Sequence, residues 1–540
     1  MSFGVRAVLA TLSFVLLLDG LAFADQQKPN TVFILADDLG IGDVNCYGGD
    51  QCQIETPNID TLASGGMKFT DAYVNASHCI PTRIAIMTGR YPWRFDKPQA
   101  GGKWGLLGPR FDVNTFTLGD MFRTANYKTG YIGKWHLGTV MTTKDGKVQN
   151  EKNVDYTKPI KVGPVQYGFD ESFILPGSLD MFPYAYLRNN MWQGEVTAQK
   201  GWSAFNRVGP AEKDFEDHEV LETFYSQAES FLSQQKSDQP FFLFLALTAP
   251  HTPTSPGKNF QGKSKLGVYG DFVMEVDHAV QRVQAALKTQ GLDKNTLVIF
   301  SSDHGPASYA GNILKATPGQ LRKLKDKGHD ADGPHRGYKF SVYEGGLRVP
   351  LIAHWPGVIK PGSQCNQIVG LCDLMASFAE VSGAKLDSDA GPDSISFANL
   401  LHHPDAQGKR GNLIMQSTGP FVVRDGNWKL CLCPGSGASG VYGNVPASAD
   451  AWQTAMKQFD QPVKWTDLVQ APFVQLFDLS NDIHEDHNLA AKHPAQVAKM
   501  VALLRMQVTQ GRSTPGKKLP STHPNINARL PNFIRKQLQP

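Results

Sequence analysis

The sequence predicts an α/β fold with a large central, mostly parallel β-sheet flanked by helices and a smaller C-terminal α+β subdomain. The first observation is a set of continuous apolar runs, which are typical of strands buried on both faces of a parallel sheet. These runs lie at 31–36, 129–132, 240–247 and 296–300. The second observation is a pair of amphipathic helical patterns at 219–235 and 271–289, which alternate with the runs as helices of an α/β domain do.

The third observation is a change of pattern near Gly411. Short strand patterns separated by turn residues follow it, at 412–415, 421–424, 428–430 and 475–479. An amphipathic helix is predicted at 494–510, with proline in its first turn, where proline is tolerated. We therefore expect a main domain at 25–410, a smaller subdomain at 411–510 and a basic, Pro-rich tail at 511–540.

The first 24 residues predict a cleaved export signal. Arg6 supplies the positive start, 7–18 is an uncharged apolar run, and Ala22-Phe23-Ala24 fits a cleavage site. A single membrane anchor is the alternative, which is disfavoured because a span needs about 20 apolar residues. We expect a mature chain that begins near Asp25, has no integral membrane segment and is periplasmic or secreted.

Composition excludes several classes of protein. Of the 540 residues, 41% are hydrophobic and 19% are charged, which is ordinary for a folded globular chain and unlike a disordered or multi-span membrane protein. The 53 basic and 50 acidic side chains leave a net charge of +3, so nothing calls for a nucleic-acid partner. Seven cysteines in an exported chain can form disulfides, and Cys46 with Cys52 and Cys365 with Cys372 are close enough in sequence to pair.

Polar residues follow each of the predicted central strands. These residues are Asp37, Asp38, His136, His251, Asp303 and His304. Each alone could be an ordinary turn residue, but ligands of open α/β sheets bind at the carboxyl ends of the strands, so we expect the set to meet at one edge. Adjacent carboxylates raise each other's pKa unless a cation neutralises them, and their hard oxygens suit Ca²⁺ or Mg²⁺ rather than zinc.

The segment from Cys79 to Arg90 carries the strongest local signal. Pro81 and the apolar spacing after it predict a helix that starts there, with Cys79 at its N-terminus, where an anion is favoured. Arg83 lies one helical turn further on, on the same face. The alternative for a lone cysteine is a small buried hydrophobe.

Cys79-Ile-Pro-Thr-Arg83 with Met87-Thr-Gly-Arg90 resembles the signature of the type I formylglycine-dependent sulfatases, the arylsulfatase A-like family of the alkaline phosphatase superfamily. Other motifs of that family have counterparts here in the same order. These counterparts are Asp37-Asp38, Gly133-Lys-Trp-His-Leu-Gly138, Ala249-Pro-His251, Ser302-Asp-His-Gly305, Arg336-Gly-Tyr-Lys339, Glu344-Gly-Gly-Leu-Arg-Val-Pro350 and 476–490. The resemblance covers about residues 30–490 and implies an alkaline phosphatase-like fold.

The resemblance also implies a modified nucleophile and a metal ion. A separate formylglycine-generating or equivalent maturation enzyme would convert Cys79 into formylglycine (3-oxoalanine), whose hydrate attacks the ester. A divalent cation, Ca²⁺ with Mg²⁺ as the alternative, would polarise a sulfuryl oxygen. The implied ligands of this cation are Asp37, Asp38, Cys79, Asp303 and His304. His304 stands where many members of the family have asparagine.

Four further residues are implied to handle the sulfate group and the nucleophile. Lys134 and Lys339 would neutralise charge on the sulfuryl oxygens. Ser178 matches, more loosely, a serine that contacts the sulfate group. Arg83 would orient the oxygens of the hydrated formylglycine.

Two histidines are implied to move protons, and the implied activity follows. His251 would protonate the leaving oxygen, and His136 would take a proton from the hydrated nucleophile to release sulfate. The expected substrate is a sulfate monoester on a small molecule or polysaccharide, with carbohydrate favoured because an exported enzyme meets extracellular polysaccharide, and aryl sulfates accepted as well. The alternatives are a phosphate or phosphonate ester hydrolase of the same superfamily and, if Cys79 stays unmodified, a non-catalytic sulfated-glycan binding protein. For the basic tail, a solvated segment is favoured over a site for a sulfated polymer.

Overall fold

The computed structural model describes residues 28–95, 102–201, 206–310, 321–417, 419–433, 435–437 and 474–520. The predicted export signal at 1–24 and the part of the tail beyond residue 520 lie outside these ranges. Among the helices that are described, none has both the length and the apolar character that crossing a membrane requires.

Eighteen strands and ten α-helices make up the described part of the chain. The strands are β1 (Asn30–Asp37), β2 (Met67–Phe69), β3 (Ala72–Tyr73), β4 (Lys128–Lys134), β5 (Glu171–Leu175), β6 (Leu187–Arg188), β7 (Met191–Trp192), β8 (Ala198–Lys200), β9 (Gly209–Ala211), β10 (Phe241–Pro250), β11 (Thr296–Ser302), β12 (Leu351–His354), β13 (Ser363–Cys365), β14 (Val369–Gly370), β15 (Asn412–Gln416), β16 (Phe421–Asp425), β17 (Trp428–Cys431) and β18 (Gln475–Asp478). The helices are α1 (Asn45–Gly48), α2 (Pro57–Ser64), α3 (Cys79–Thr88), α4 (Leu118–Thr124), α5 (Val220–Ser233), α6 (Val268–Thr289), α7 (Glu344–Leu347), α8 (Leu374–Ser382), α9 (Ala398–His402) and α10 (Pro494–Gln510).

Ten of the strands form one sheet, in the order β13-β2-β12-β11-β1-β10-β4-β5-β6-β7. The five central strands, from β11 to β5 in this order, are parallel to one another. Antiparallel pairs lie on both sides of this centre. The predicted parallel sheet is therefore confirmed at its centre, whereas the edges are mixed. At one edge the two-residue connection between β6 and β7 permits only an antiparallel hairpin.

The four apolar runs of the sequence are four of the five central strands. All eight residues of β1 and all ten of β10 are buried, as expected for strands covered on both faces. Phe241 packs against Phe231 of α5, and the next residue, Phe242, stacks on Phe122 of α4 with ring centroids 4.0 Å apart. Because successive side chains of a strand point to opposite faces, helices cover both faces of the sheet.

A second, four-stranded antiparallel sheet lies near the C-terminus, with the strand order β15-β16-β17-β18. Its strands match the four short patterns predicted after Gly411, and α10 has the predicted bounds. A buried lysine of this sheet, Lys429, binds two acids, of which Glu344 belongs to α7 of the main domain and Glu485 follows β18. Its Nζ lies 2.8 Å from Glu344 Oε1 and 2.8 Å from Glu485 Oε1, and Glu344 is the first residue of α7.

We expect Lys429→Met to lower the free energy of unfolding by about 3–5 kcal/mol, because two buried carboxylates lose their shared cation. The matched control is Lys499→Met, which removes an exposed lysine whose Nζ is 2.7 Å from Asp425 and which should change that free energy by at most about 0.5 kcal/mol. Denaturant unfolding of both variants measures the difference. Equal, small effects would show that the buried charges do not stabilise the contact between the second sheet and α7.

All seven cysteines lie in the described residues, and all seven are free thiols. Neither pairing considered from sequence spacing, Cys46 with Cys52 or Cys365 with Cys372, is formed. The thiol of Cys52 is instead directed at the main-chain oxygen of Ile54, at 3.3 Å.

Candidate active site

The carboxyl ends of the central strands meet at one edge of the sheet, and most of the predicted site residues lie there. Asp37 ends β1 and Lys134 ends β4, while the remaining residues follow their strands by one or two positions. Those residues are Asp38 after β1, His136 after β4, His251 after β10, and Asp303 and His304 after β11. All seven side chains are buried. The expectation that the polar strand ends converge is met by this geometry.

Cys79 is the first residue of α3 and points into this cluster. Its Sγ lies 3.3 Å from His304 Nε2, 3.5 Å from Lys339 Nζ and 3.7 Å from Asp37 Oδ1. The predicted start of this helix was Pro81, but the helix begins two residues earlier, at Cys79. Pro81 is tolerated inside the first turn because a residue there has no intrahelical hydrogen bond to lose. Burial raises the pKa of the Cys79 thiol, although Lys134 and Lys339 act against this shift.

Three carboxylates crowd the centre of the cluster, and their pKa values diverge. Burial, together with the charges of Asp37 and Asp303, raises the pKa of Asp38 to about 7 despite the nearby Lys339. Burial and the charge of Asp37 raise the pKa of Asp303 to about 6. Burial also disfavours ionised Asp37, but Lys134, with other nearby cations, holds its pKa well below the usual value. This like-charge crowding is the condition that a bound cation relieves.

The donor atoms fit a divalent cation. One ligand atom from each of Asp37, Asp38, Cys79 and His304 can be chosen so that all four lie within 4.8 Å of one another. His304 Nδ1 is 2.8 Å from the main-chain oxygen of Gly305, which can only accept, so the proton is on Nδ1 and Nε2 is free to coordinate. Asp303, the fifth predicted ligand, lies beside this group with its Oδ1 3.4 Å from His304 Nε2.

Two lysines and an arginine hold the carboxylates in place. Lys134 Nζ donates to Asp37 Oδ2 at 2.6 Å, and Lys339 Nζ donates to both oxygens of Asp38 at 2.8 and 3.0 Å. Burial alone would lower the pKa of each lysine, but the carboxylates raise both, so the lysines remain charged. Arg83 donates through Nε and Nη2 to Asp303 Oδ2, at 3.1 and 3.0 Å.

Two glycines allow the loops that carry these groups to approach the sheet. A Cβ on Gly133, whose φ is 114°, would lie 1.8 Å from the main-chain oxygen of Ala246, so β4 and β10 could not approach as closely. A Cβ on Gly305 would lie 1.7 Å from the oxygen of Gly345, in the segment that follows Lys339. The two motifs therefore require glycine because of backbone contacts.

The two predicted proton-transfer residues lie at the same edge. His251 Nδ1 is 2.6 Å from the oxygen of Thr252, which assigns the proton to Nδ1, and its Nε2 is 3.8 Å from Asp38 Oδ2. Nδ1 of His136 is buried and has no hydrogen-bond partner among the described residues, and its backbone is strained at a φ of 54°. Burial, followed by the charge of a nearby lysine, lowers the pKa of both histidines.

Ser178 lies in the loop after β5. Its Oγ is buried and makes no hydrogen bond within the described ranges, so it is not joined to the Cys79 cluster by one. Sequence reasoning missed two residues beside it: Asp180, whose Oδ1 is 4.0 Å from His251 Nδ1, and Arg207, which binds Asp180 Oδ2 at 2.6 Å. The only signal for Asp180 was its place two residues after Ser178, and Arg207 belongs to no motif.

An α/β sheet with a buried cluster of charged side chains at its strand ends, beside a cysteine at a helix N-terminus, is the arrangement of the alkaline phosphatase-like fold. The chain belongs to the sulfatase family: the family described as Sulfatase matches residues 29–384. The resemblance seen in the sequence is thereby confirmed, and the protein is a sulfuric ester hydrolase.

Individual relatives share most of the chain. It is 30% identical over 524 residues to an N-acetylgalactosamine-6-O-sulfatase of Bacteroides thetaiotaomicron, with 90% of this chain and 94% of that protein covered. It is 31% identical over 515 residues to Homo sapiens arylsulfatase A, with 91% and 89% covered. A solved sulfatase structure from work on the metabolism of multiple glycosaminoglycans by Bacteroides thetaiotaomicron has a TM-score of 0.73 at 28% identity, with 89% of this chain and 99% of that chain covered.

Proposed function

We propose that the protein removes the 6-sulfate of N-acetylgalactosamine or a similar sulfated sugar, with Cys79 converted to formylglycine and Ca²⁺ bound beside it. The observation that carries this proposal is the position of Cys79 Sγ, 3.3–3.7 Å from His304, Lys339 and Asp37. The choice of sugar is supported by relatives named N-acetylgalactosamine-6-sulfatase in several organisms.

The environment of Cys79 supports conversion of the thiol. Burial raises the pKa of this thiol, so at neutral pH it would stay protonated and be a poor nucleophile. Formylglycine, made by a separate maturation enzyme, supplies a hydrated aldehyde whose oxygen attacks sulfur. Position 79 at the N-terminus of α3 favours the negative charge that such an oxygen carries.

The donor set supports Ca²⁺, with Mg²⁺ as the alternative, because carboxylate oxygens dominate it. Asp37, Asp38, Asp303 and His304 would hold the ion together with residue 79. A cation there supplies Lewis-acid polarisation of a sulfuryl oxygen and neutralises the crowded carboxylates.

The charged side chains around the cluster would bind the sulfate group. Lys134 and Lys339 are charged, buried and anchored on carboxylates, so they can stabilise sulfuryl oxygens with little reorganisation. Ser178 brings a buried hydroxyl to the same edge of the sheet and would donate to a sulfuryl oxygen. Arg83, held by Asp303, would fix the orientation of residue 79 from the adjacent turn of α3.

His251 would act as the general acid and His136 as the base that completes the cycle. Because the Nδ1 proton of His251 is directed at Thr252, its Nε2 is the atom that exchanges a proton with the leaving oxygen. His136 is buried beside Lys134 and Asp37, which also influence its pKa, and would accept a proton from residue 79.

The proposal extends to organisation and location. Residues 25–410 would form the catalytic domain and 411–510 the smaller subdomain, which contributes Lys429 to the contact described above. The export signal would direct the protein to the periplasm or the exterior, where sulfated polysaccharide is available. N-terminal sequencing of the purified protein should then begin near Asp25.

Sulfate release from a defined panel tests the proposed function. We expect turnover of N-acetylgalactosamine 6-sulfate and of 4-nitrophenyl sulfate, little turnover of 4-nitrophenyl phosphate, and none by Cys79→Ala. A preference for the phosphate ester would favour the related phosphate or phosphonate hydrolases instead. Binding of sulfated sugars without any turnover by protein modified at Cys79 would favour a binding protein.

A further inference from the structure

One buried carboxylate near the active site has an oxygen that no group in the described chain satisfies. Asp180 is 2% exposed, and its Oδ1 makes no hydrogen bond within the described residues. The closest polar atom recorded for it is His251 Nδ1 at 4.0 Å, whose proton is already directed at the oxygen of Thr252. A buried acceptor without a donor is rare in folded proteins and calls for a partner, such as a group of the substrate.

The other oxygen of this carboxylate is firmly held. Arg207 Nη1 donates to Asp180 Oδ2 at 2.6 Å and to the main-chain oxygen of Asp180 at 3.0 Å. The guanidinium of Arg207 lies over the ring of Trp104, 3.6 Å from its centroid. A turn in which Met181 N donates to the Ser178 oxygen fixes the backbone around Asp180. We call Asp180, Arg207 and Trp104 the Asp180 group.

The charge of the Asp180 group narrows the kind of ligand it can take. Arg207 neutralises Asp180, so the pair as a whole has no net charge with which to attract an ion. The free Oδ1 lone pairs accept a hydrogen bond and cannot donate one. An uncharged hydrogen-bond donor, such as a sugar hydroxyl, satisfies this oxygen.

Resting on the proposed function, we propose that Asp180 Oδ1 accepts a hydrogen bond from the ring hydroxyl of the sugar nearest the sulfate ester. Asp180 Oδ1 is 4.0 Å from Nδ1 of His251, so a sugar whose ester oxygen lies at Nε2 of the same ring is close to Asp180. In a 6-sulfated hexosamine the nearest ring hydroxyl is the one on C4. Simple aryl sulfates lack such a hydroxyl, so Asp180 selects sugar sulfates.

The sharpest test removes the hydroxyl from the substrate and the carboxylate from the protein. We expect kcat/KM of the unmodified protein to fall about 10- to 100-fold from N-acetylgalactosamine 6-sulfate to its 4-deoxy analogue. Asp180→Ala should cause a similar fall on the parent sugar and little further loss on the 4-deoxy sugar. It should therefore lower the ratio of kcat/KM on the parent sugar to kcat/KM on 4-nitrophenyl sulfate. Asp214→Ala, which removes an exposed aspartate, is the matched control and should leave the ratio unchanged.

Two results would overturn the assignment. One is equal kcat/KM of the unmodified protein on the parent and 4-deoxy sugars, a measurement that does not depend on how well a variant folds. The other is an equal loss by Asp180→Ala on the parent and 4-deoxy sugars with little loss on 4-nitrophenyl sulfate, which would make Asp180 a residue that acts through His251. Failure of the proposed function has a different signature, namely turnover of 4-nitrophenyl sulfate with no release of sulfate from either sugar.

Discussion

Asp37→Asn is expected to remove both the bound cation and sulfatase turnover, with a loss of about 10³-fold or more. Asp37 Oδ2 accepts a hydrogen bond from Lys134 Nζ at 2.6 Å, and Asp37 Oδ1 lies 3.7 Å from Cys79 Sγ. Replacing the carboxylate therefore weakens the cation site and removes the ion pair that positions Lys134. The negative charge on the sulfuryl oxygens in the transition state would then lose stabilisation by the cation and by Lys134. Metal content by elemental analysis and turnover, measured on one preparation, test this prediction.

The fold should survive this substitution, because Asp37 is at the end of β1 while the apolar contacts of that strand lie before it. Asp303→Asn is expected to behave in the same way, since Arg83 then loses a carboxylate partner beside the cation site. Asp112→Asn, an exposed aspartate, is the matched control and should keep both metal and activity. Full metal content and turnover in either Asp37→Asn or Asp303→Asn would mean that the ligand assignment is wrong.

His251→Ala is expected to slow the hydrolysis of a sugar sulfate much more than that of 4-nitrophenyl sulfate. A sugar alcohol is a very weak acid and needs a proton as the S–O bond breaks, whereas nitrophenolate leaves without one. General acid catalysis typically contributes about 10²–10⁴-fold, and the loss on the sugar should fall in that range. The comparison of kcat/KM on the two substrates measures it.

Lys339 offers the competing outcome, because it keeps its proton and its Nζ lies 3.5 Å from Cys79 Sγ. If Lys339 donates to the leaving oxygen, Lys339→Ala would show the leaving-group dependence and His251→Ala would slow both substrates by a similar factor. We expect the reverse, with Lys339→Ala slowing both substrates similarly because sulfuryl charge must be stabilised in each. Measuring the two variants in parallel separates these assignments.

The central strands and the polar residues at their ends were predictable because they depend on local signals, whereas Cys79 and Lys339 were placed with them through the family resemblance. An apolar run that stops at a carboxylate predicts both β1 and the place of Asp37, whatever the rest of the chain does. The start of α3 was placed two residues late because Pro81 is compatible with any position in a first turn.

Contacts between distant segments were not predictable from the sequence. Arg207 follows no strand and belongs to no motif, yet it binds Asp180 from 27 residues away. Lys429 is likewise an ordinary lysine in a short strand, and only the packing of the second sheet brings it 2.8 Å from Glu344. Ion pairs of this kind depend on tertiary structure, and no spacing of residues in the sequence predicts them.

The most direct test of the central claim is mass spectrometry of the tryptic peptide 69–83, which contains Cys79, alongside turnover of the same sample. Conversion of the thiol to the aldehyde makes this peptide lighter by about 18 Da. Ordinary oxidation of the thiol to a sulfenic, sulfinic or sulfonic acid adds oxygen and makes the peptide heavier instead. Samples matured to different extents, by coexpression with or without a formylglycine-generating enzyme, should show turnover in proportion to the lighter fraction. Full sulfatase turnover from protein in which only the intact Cys79 thiol is detected would contradict the account.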